Sequence, residues 1–248
     1  ALFFFMFQFL TYEKNNPVDL LDNIQSGSAT KRWQSAFELS RLLANPDMPQ
    51  ISDRFVSEMH SAYEYALRDP DTRVRQYLIR AMGQTANPSF VVTIQNALNE
   101  YNEDVVADAI YSLSYYNEIE NVKLIVQQTD HPSALVRNRA AIALGAMSAD
   151  DSFTGLRSLL SDPEPNVRWN AAVSLAKHGD PSGRTVLLNL LDRSYLARFE
   201  GVDRYESEQA MMVAIQAAAM LDDSELDESD SSSSESLSAA VSPALRMS

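Results

Sequence analysis

Four valines, Val74, Val105, Val136 and Val167, stand 31 residues apart, and that interval constrains the fold more than any other feature of the chain. Leu78, Ala109, Ala140 and Ala171 keep the same spacing, as do Met82, Leu113, Leu144 and Leu175. Pro70, Pro132 and Pro163 share the register, with Tyr101 in the remaining slot. Within each unit these apolar columns step by four residues, which places them on one face of a helix. A second set follows at the same period: Ile94, Ile125, Leu156 and Leu187, then Leu98, Thr129, Leu160 and Leu191. It marks a second helix. Turn signals separate the two, such as Ala86-Asn87-Pro88 and His178-Gly179-Asp180-Pro181. Asp69-Pro70 and Asp162-Pro163 open the first helix. Each unit is thus a helix pair too small to bury its own apolar face, so it must stack on its neighbours.

The strings Asp162-Pro-Glu-Pro-Asn-Val-Arg-Trp-Asn-Ala-Ala-Val-Ser-Leu175 and His131-Pro-Ser-Ala-Leu-Val-Arg-Asn-Arg-Ala-Ala-Ile-Ala-Leu-Gly145 carry a D-P-x-x-x-V-R-x-x-A-A-x-x-L pattern. This pattern resembles HEAT repeats, in particular the short subtype first named from phycobilisome-lyase proteins. Tetratricopeptide and ankyrin signatures are absent. The resemblance implies an all-α fold, a right-handed α-solenoid of about six HEAT-like helix pairs. Four regular repeats cover 68–193. The unit at 102–130 departs from the pattern, with Val106 in place of Arg and Tyr101 in place of Pro. A degenerate capping repeat is expected over 13–67, with Trp33, Ser35, Ala36 and Leu39 on its first helix and Phe55, Met59, Tyr63 and Leu67 on its second. The link between them is about a dozen residues longer than in the regular units. A second cap is expected over 194–221, its helix running from Glu206 to Leu221 with Met211, Met212 and Ile215 inward.

Two flanking segments have other compositions. Residues 1–10 hold five Phe and a Met with no polar face. As a helix they rise about 15 Å, half of a bilayer core of roughly 30 Å. Tyr12 falls where an interfacial aromatic would sit. The favoured expectation is that 1–12 is a truncated membrane anchor, making the protein membrane-associated and single-pass; a buried cap and a signal-peptide remnant are the alternatives. Residues 222–235 hold seven acids among residues that are otherwise nearly all Ser, with no apolar period. Such a segment cannot offset its ordering entropy by burial, so 222–248 is expected to be a disordered acidic tail.

Charge and composition exclude several classes of chemistry. Lys and Arg number 20 against 34 Asp and Glu, a net charge of −14. Nucleic-acid binding requires a basic surface that displaces counterions, so no nucleic-acid partner is expected. The absence of Cys removes thiolate metal sites and Cys nucleophiles. His60 and Glu64 lie one helical turn apart, but a metal site needs three or four ligands and no second pair occurs. His131 and His178 stand in turns, where capping explains them. Iron-holding enzymes of HEAT architecture use His-Glu dipeptides, whereas Ser61, Pro132 and Gly179 follow the three His here. No metal, no cofactor and no catalytic residue is therefore expected. The column Arg75, Arg137 and Arg168 is read as a structural ladder, paired with Asp or carbonyls near the turn of an adjoining unit.

What remains is a partner-binding face. The resemblance implies that second helices line the concave side of the array. With the Ile94 and Leu98 columns inward, the outward columns read Val92, Lys123, Thr154, Thr185 and Asn96, Gln127, Ser158, Asn189. Uncharged hydrogen-bonding side chains along an extended groove suit another protein or an extended peptide segment. The expected function is a non-catalytic scaffold or adaptor for protein–protein interaction, tethered to a membrane. The alternative is a bilin-lyase-like accessory in a chromophore or cofactor pathway, to which Tyr111, Tyr115, Tyr116 and Trp169 would contribute an aromatic groove. A third possibility, an enzyme, lacks any convergent set of titratable groups.

Overall fold

The computed structural model describes residues 16–47, 51–147, 149–199 and 203–221. All regular structure among them is helical. The α-helices in chain order are α1 (Pro17–Ser26), α2 (Ala29–Leu43), α3 (Asp53–Ala66), α4 (Thr72–Gln84), α5 (Val91–Ala97), α6 (Glu103–Leu113), α7 (Ile119–Gln127), α8 (Ala134–Leu144), α9 (Asp150–Leu159), α10 (Pro165–Lys177), α11 (Arg184–Leu190), α12 (Arg193–Leu196) and α13 (Arg204–Met220). Short 3₁₀ turns at Pro88–Phe90, Gln128–Asp130 and Pro181–Gly183 lead into or out of the second helices of the regular units.

Each first helix begins where its sequence offers a local acceptor. Asp71 caps α4 by accepting from the Arg73 amide, and Asn102 caps α6 by accepting from the Val105 amide at 3.1 Å. Pro165 occupies the first turn of α10, where a missing N–H costs nothing. Pro70 and Pro163 stand just before the helices, in turns closed by Asp69 and Asp162, which accept the Asp71 and Glu164 amides at 3.0 and 2.8 Å.

The chain divides into two compact units, the first through Tyr115 and the second from Tyr116. The division falls inside the irregular 102–130 repeat, so α6 belongs to the first unit and α7 to the second. In the first unit the first-type helices stack in sequence, α2 on α4 and α4 on α6. The second-type helices α3 and α5 pack against α4, and α5 also against α6. Leu39, Met59, Leu78, Met82, Phe90, Ile94, Ile110 and Leu113 are fully buried between them. In the second unit α8 stacks on α10 and α10 on α13, with α7, α9 and α11 packed along the other side. The repeated columns form its core: Ile125, Val136, Ala140, Leu144, Leu156, Ala171 and Leu175 are buried.

Two crossings bring first-type helices unusually close. A Cβ on Gly83 would lie 2.4 Å from the Ser112 Cβ, and one on Gly145 would lie 2.2 Å from the Ser174 Oγ. At both crossings the serine hydroxyl donates across to the neighbouring helix, Ser112 to the Ile79 carbonyl and Ser174 to the Ala141 carbonyl, each at 3.0 Å. The glycine removes a side chain so that the hydroxyl can reach a backbone acceptor.

Several expectations need correction. Helix α1 is additional: Asn16 accepts from the Val18 amide and Pro17 fills the first position, and the helix packs on α2 and α3 through Leu20, Leu21 and Ile24. Leu67 is exposed, because α3 ends at Ala66 and the residue falls on the cap; Ala62 and Ala66 complete the inward face beside Phe55, Met59 and Tyr63. Met212 also points outward. The inward face of α13 is Ala214, Ala217 and Ala218 with Met211 and Ile215 partly covered, since small residues allow close approach to α10 and α11.

The single-pass membrane protein expected from residues 1–12 is overturned. No helix among the described residues is long and apolar enough to cross a membrane. The longest, α13, has 17 residues and carries Arg204, Glu206 and Glu208. The apolar run itself, half a bilayer core in length, and the acidic tail at 222–248 lie outside the described residues.

Candidate partner-binding face

All eight residues expected on the outward side of the second helices are exposed. Val92 and Asn96 sit on α5 in the first unit. Lys123 and Gln127 sit on α7, Thr154 and Ser158 on α9, and Thr185 and Asn189 on α11, all in the second unit. Each pair is one helical turn apart because the core column of the same helix fixes the opposite face. On α9, for example, Gly155, Leu156 and Leu159 are buried while Thr154 and Ser158 face solvent. The Ser158 hydroxyl donates to the Gly155 carbonyl at 2.7 Å, which leaves its oxygen available as an acceptor. In the second unit this face offers amide and hydroxyl groups with one formal charge, that of Lys123.

A cleft adjoins the same face of the second unit. It is lined by Thr129, His131, Arg137, Ser158, Ser161 and Asp162, so one wall belongs to the face and the other to the arginine column. Arg137 donates to the carbonyls of His131 and Pro132 at 2.9 and 3.0 Å and grips Asp162 with two hydrogen bonds of 2.6 and 2.9 Å. Arg168 donates to the carbonyls of Asp162 and Pro163 at 2.6 and 2.9 Å. Arg75, buried in the first unit, donates to the carbonyls of Ala66 and Asp69 at 3.1 Å and lies 3.2 Å from Glu100. The anchoring carbonyls thus come from the turn preceding the arginine's own helix, and the carboxylate comes from the turn before the next one.

Arg32 makes the same arrangement one unit earlier, donating to the Gly27 carbonyl at 3.0 Å and to both oxygens of Asp69. It was not singled out from sequence because the spacing differs. Arg75 to Glu100 and Arg137 to Asp162 are 25 residues, whereas Arg32 to Asp69 is 37, the difference being the long link after α2. At the two other rung positions the sequence provides no carboxylate: Val106 is followed 25 residues later by His131, and Arg168 by Arg193.

The electrostatics follow the ladder. The hydrogen bond from Arg32 holds the Asp69 carboxyl below the usual carboxylate range against the opposing effect of burial. At Asp162 burial pushes upward, but the hydrogen bonds from Arg137 and the Glu164 amide outweigh it and the net shift is downward. Asp180 behaves alike, with burial outweighed by Ser182 and Arg157. These carboxylates are held ionised by fixed partners, the opposite of what a proton-transfer residue needs. Burial, together with the 2.6 Å hydrogen bond between the hydroxyls of Tyr111 and Tyr115, pushes Tyr115 up to about 12.

The histidines are engaged in packing. His60 Nδ1 is 3.3 Å from the Thr93 hydroxyl and its ring packs on Phe90. His178 contacts the Gly145 carbonyl at 3.0 Å and Phe153 edge-on, and His131 Nδ1 accepts from the Ser133 amide at 3.1 Å. Among the described residues no three His, Asp or Glu side chains gather as a metal site. Of the aromatics considered for a chromophore groove, Tyr116 is buried and Trp169 packs edge-on against Phe199 at 5.4 Å.

The first unit holds a groove that the column spacing did not reveal. Ser57, His60, Ser61, Glu64, Tyr65 and Arg68 line it on the outer side of α3. Its residues step by three and four along the helix, a readable stripe, but the long link shifts α3 out of the 31-residue frame that located Val92 and Asn96.

Helix pairs stacked in register, each burying its apolar face on the next, define a repeat protein of the α-solenoid class. The sequence pattern of the HEAT repeats matches residues 121–200. With that match on the regular repeats, this is a HEAT-like repeat protein. Among solved structures it is similar to the complex of CpcE and CpcF of phycocyanin lyase from Nostoc, at 16% identity over 94% of this chain and 95% of that one, with a TM-score of 0.56. It is also similar to YibA of Escherichia coli, at 18% identity over 94% of this chain and 93% of that one, with a TM-score of 0.49. Of the two, the first likeness is close enough to bear on fold, and at such identity it bears on fold alone. No curated protein sequence matches the chain.

Proposed function

We propose that this protein is a non-catalytic scaffold that binds a segment of another protein along the exposed side of its second helices. The observation that carries the reading is the chemistry of that side in the second unit. Gln127, Thr154, Ser158, Thr185 and Asn189 are all exposed, uncharged and able to hydrogen-bond, and three successive second helices present them at a regular interval. An extended chain has backbone donors and acceptors at a regular interval of its own, so amides and hydroxyls in a row suit it better than they suit a compact ligand. The ionised, Arg-held state of Asp69, Asp162 and Asp180 supports a structural use of the acidic side chains.

The likeness to a phycocyanin-lyase complex favours a second reading, an accessory that assists chromophore attachment together with a protein partner. The two readings separate in one preparation. The full chain is used as bait in native lysate beside a variant carrying Lys123→Glu, Thr154→Asp and Ser158→Asp. A scaffold captures a protein that the variant loses by at least tenfold, and the bait has no visible absorbance. A bait that carries a visible chromophore supports the accessory reading. Equal capture by bait and variant removes the second-helix face from consideration.

A further inference from the structure

Helix α13 is apolar on two faces. One, formed by Ala214, Ala217 and Ala218 with Met211 and Ile215, packs on α10 and α11. The other carries Tyr205, Met212, Val213 and Met220, which are 68, 52, 42 and 54% exposed. A helix apolar all round is normally buried all round, and a row of large exposed apolar side chains marks a surface that something covers. In the regular units the covering element is the second helix of the same pair: α5 packs on α4, α9 on α8 and α11 on α10. No such helix follows α13 among the described residues.

The sequence after Leu221 supplies a candidate. Residues 222–236 hold seven acids and a single large apolar residue, Leu226, and so have little to bury. Residues 237–247 are of opposite character. Leu237, Ala239, Ala240, Val241, Ala244, Leu245 and Met247 make seven of the eleven apolar, and the only charge is Arg246. The fifteen residues between span up to about 50 Å when extended. A helix of 17 residues is about 26 Å long, so the tether reaches any point on the stripe. Tethering also places the segment at an effective concentration in the millimolar range, far above that of a second copy.

We propose that residues 237–247 fold back within the same chain and cover the stripe of Tyr205, Met212, Val213 and Met220, in the position that a second helix occupies in the regular units. This closes the apolar end of the last repeat and is independent of the partner-binding face.

Hydrogen exchange on the dilute full chain tests it, comparing the unaltered protein with Leu237→Asp/Leu245→Asp. The expected result is exchange of the α13 amides at least roughly tenfold faster in the variant, with α8 and α10 unchanged as the sign of an intact fold. A chain lacking 237–248 should behave like the variant, and a synthetic 237–248 peptide added to it should restore protection. Equal α13 exchange in unaltered and altered chains overturns the proposal. So does protection that rises with protein concentration alongside a dimeric mass, which would assign the stripe to a second copy. Protection that appears only when another protein is added overturns it as well.

Discussion

Arg137 and Arg168 occupy equivalent positions and are each anchored by two turn carbonyls, yet only Arg137 also meets a carboxylate. The comparison isolates what the ion pair adds. Arg168→Ala removes hydrogen bonds to carbonyls and should cost about 1–2 kcal/mol. Arg137→Ala also strands Asp162 in a half-closed site and should cost about 2–4 kcal/mol. Urea unfolding of the two variants should therefore give a lower midpoint for Arg137→Ala; equal midpoints would mean that the carbonyl anchors alone matter. The acid response follows from the same pairs. Asp69 and Asp162 titrate lower in the folded chain than in the unfolded one. Their stabilisation is complete above the unfolded value of about 4 and is lost as pH falls through the lowered folded values. Asp69→Asn should flatten the fall of the melting temperature below about pH 4. A slope identical to that of the unaltered chain would show that Asp69 does not contribute.

At the scale of elements, the glycine–serine crossings are the tightest contacts between first helices. Gly145→Ala would force α8 and α10 apart and should cost about 1–3 kcal/mol, while the same change combined with Ser174→Gly should recover part of the loss. Thermal midpoints of the two single variants and the double variant check this, and simple additivity would contradict the contact. The elements also show where sequence is informative. The 31-residue columns located α4 to α11 and their buried faces because each repeat solves the same packing problem with residues of the same kind. Helix α1 was missed because it lies outside the register, although Asn16-Pro17 is a readable start signal. Leu67 and Met212 were misplaced for a different reason. A stride of four gives a face only while the helix lasts, and on an Ala-rich helix such as α13 apolar character does not say which side is in. The exposed positions from Val92 to Asn189 were legible as the complement of the core columns. The α3 groove and the Arg32–Asp69 pair were not, since the long link displaces both from the frame.

The whole molecule is acidic, yet its candidate face in the second unit is nearly neutral. The net charge is −14, while the six face residues of that unit carry one charge. Binding through hydrogen bonds at such a face should be weakly salt-dependent, and an affinity that falls steeply between low and physiological ionic strength would instead indicate a charged contact elsewhere. The central claim is that a protein segment lies along these second helices. It is tested most directly by placing a photo-crosslinking side chain in the full chain at Gln127, at Thr185 and, on the first helix α10, at exposed Asn166. The account predicts that Gln127 and Thr185 crosslink to one and the same protein partner and that Asn166 does not. Crosslinking from Asn166 with none from the other two positions would contradict it.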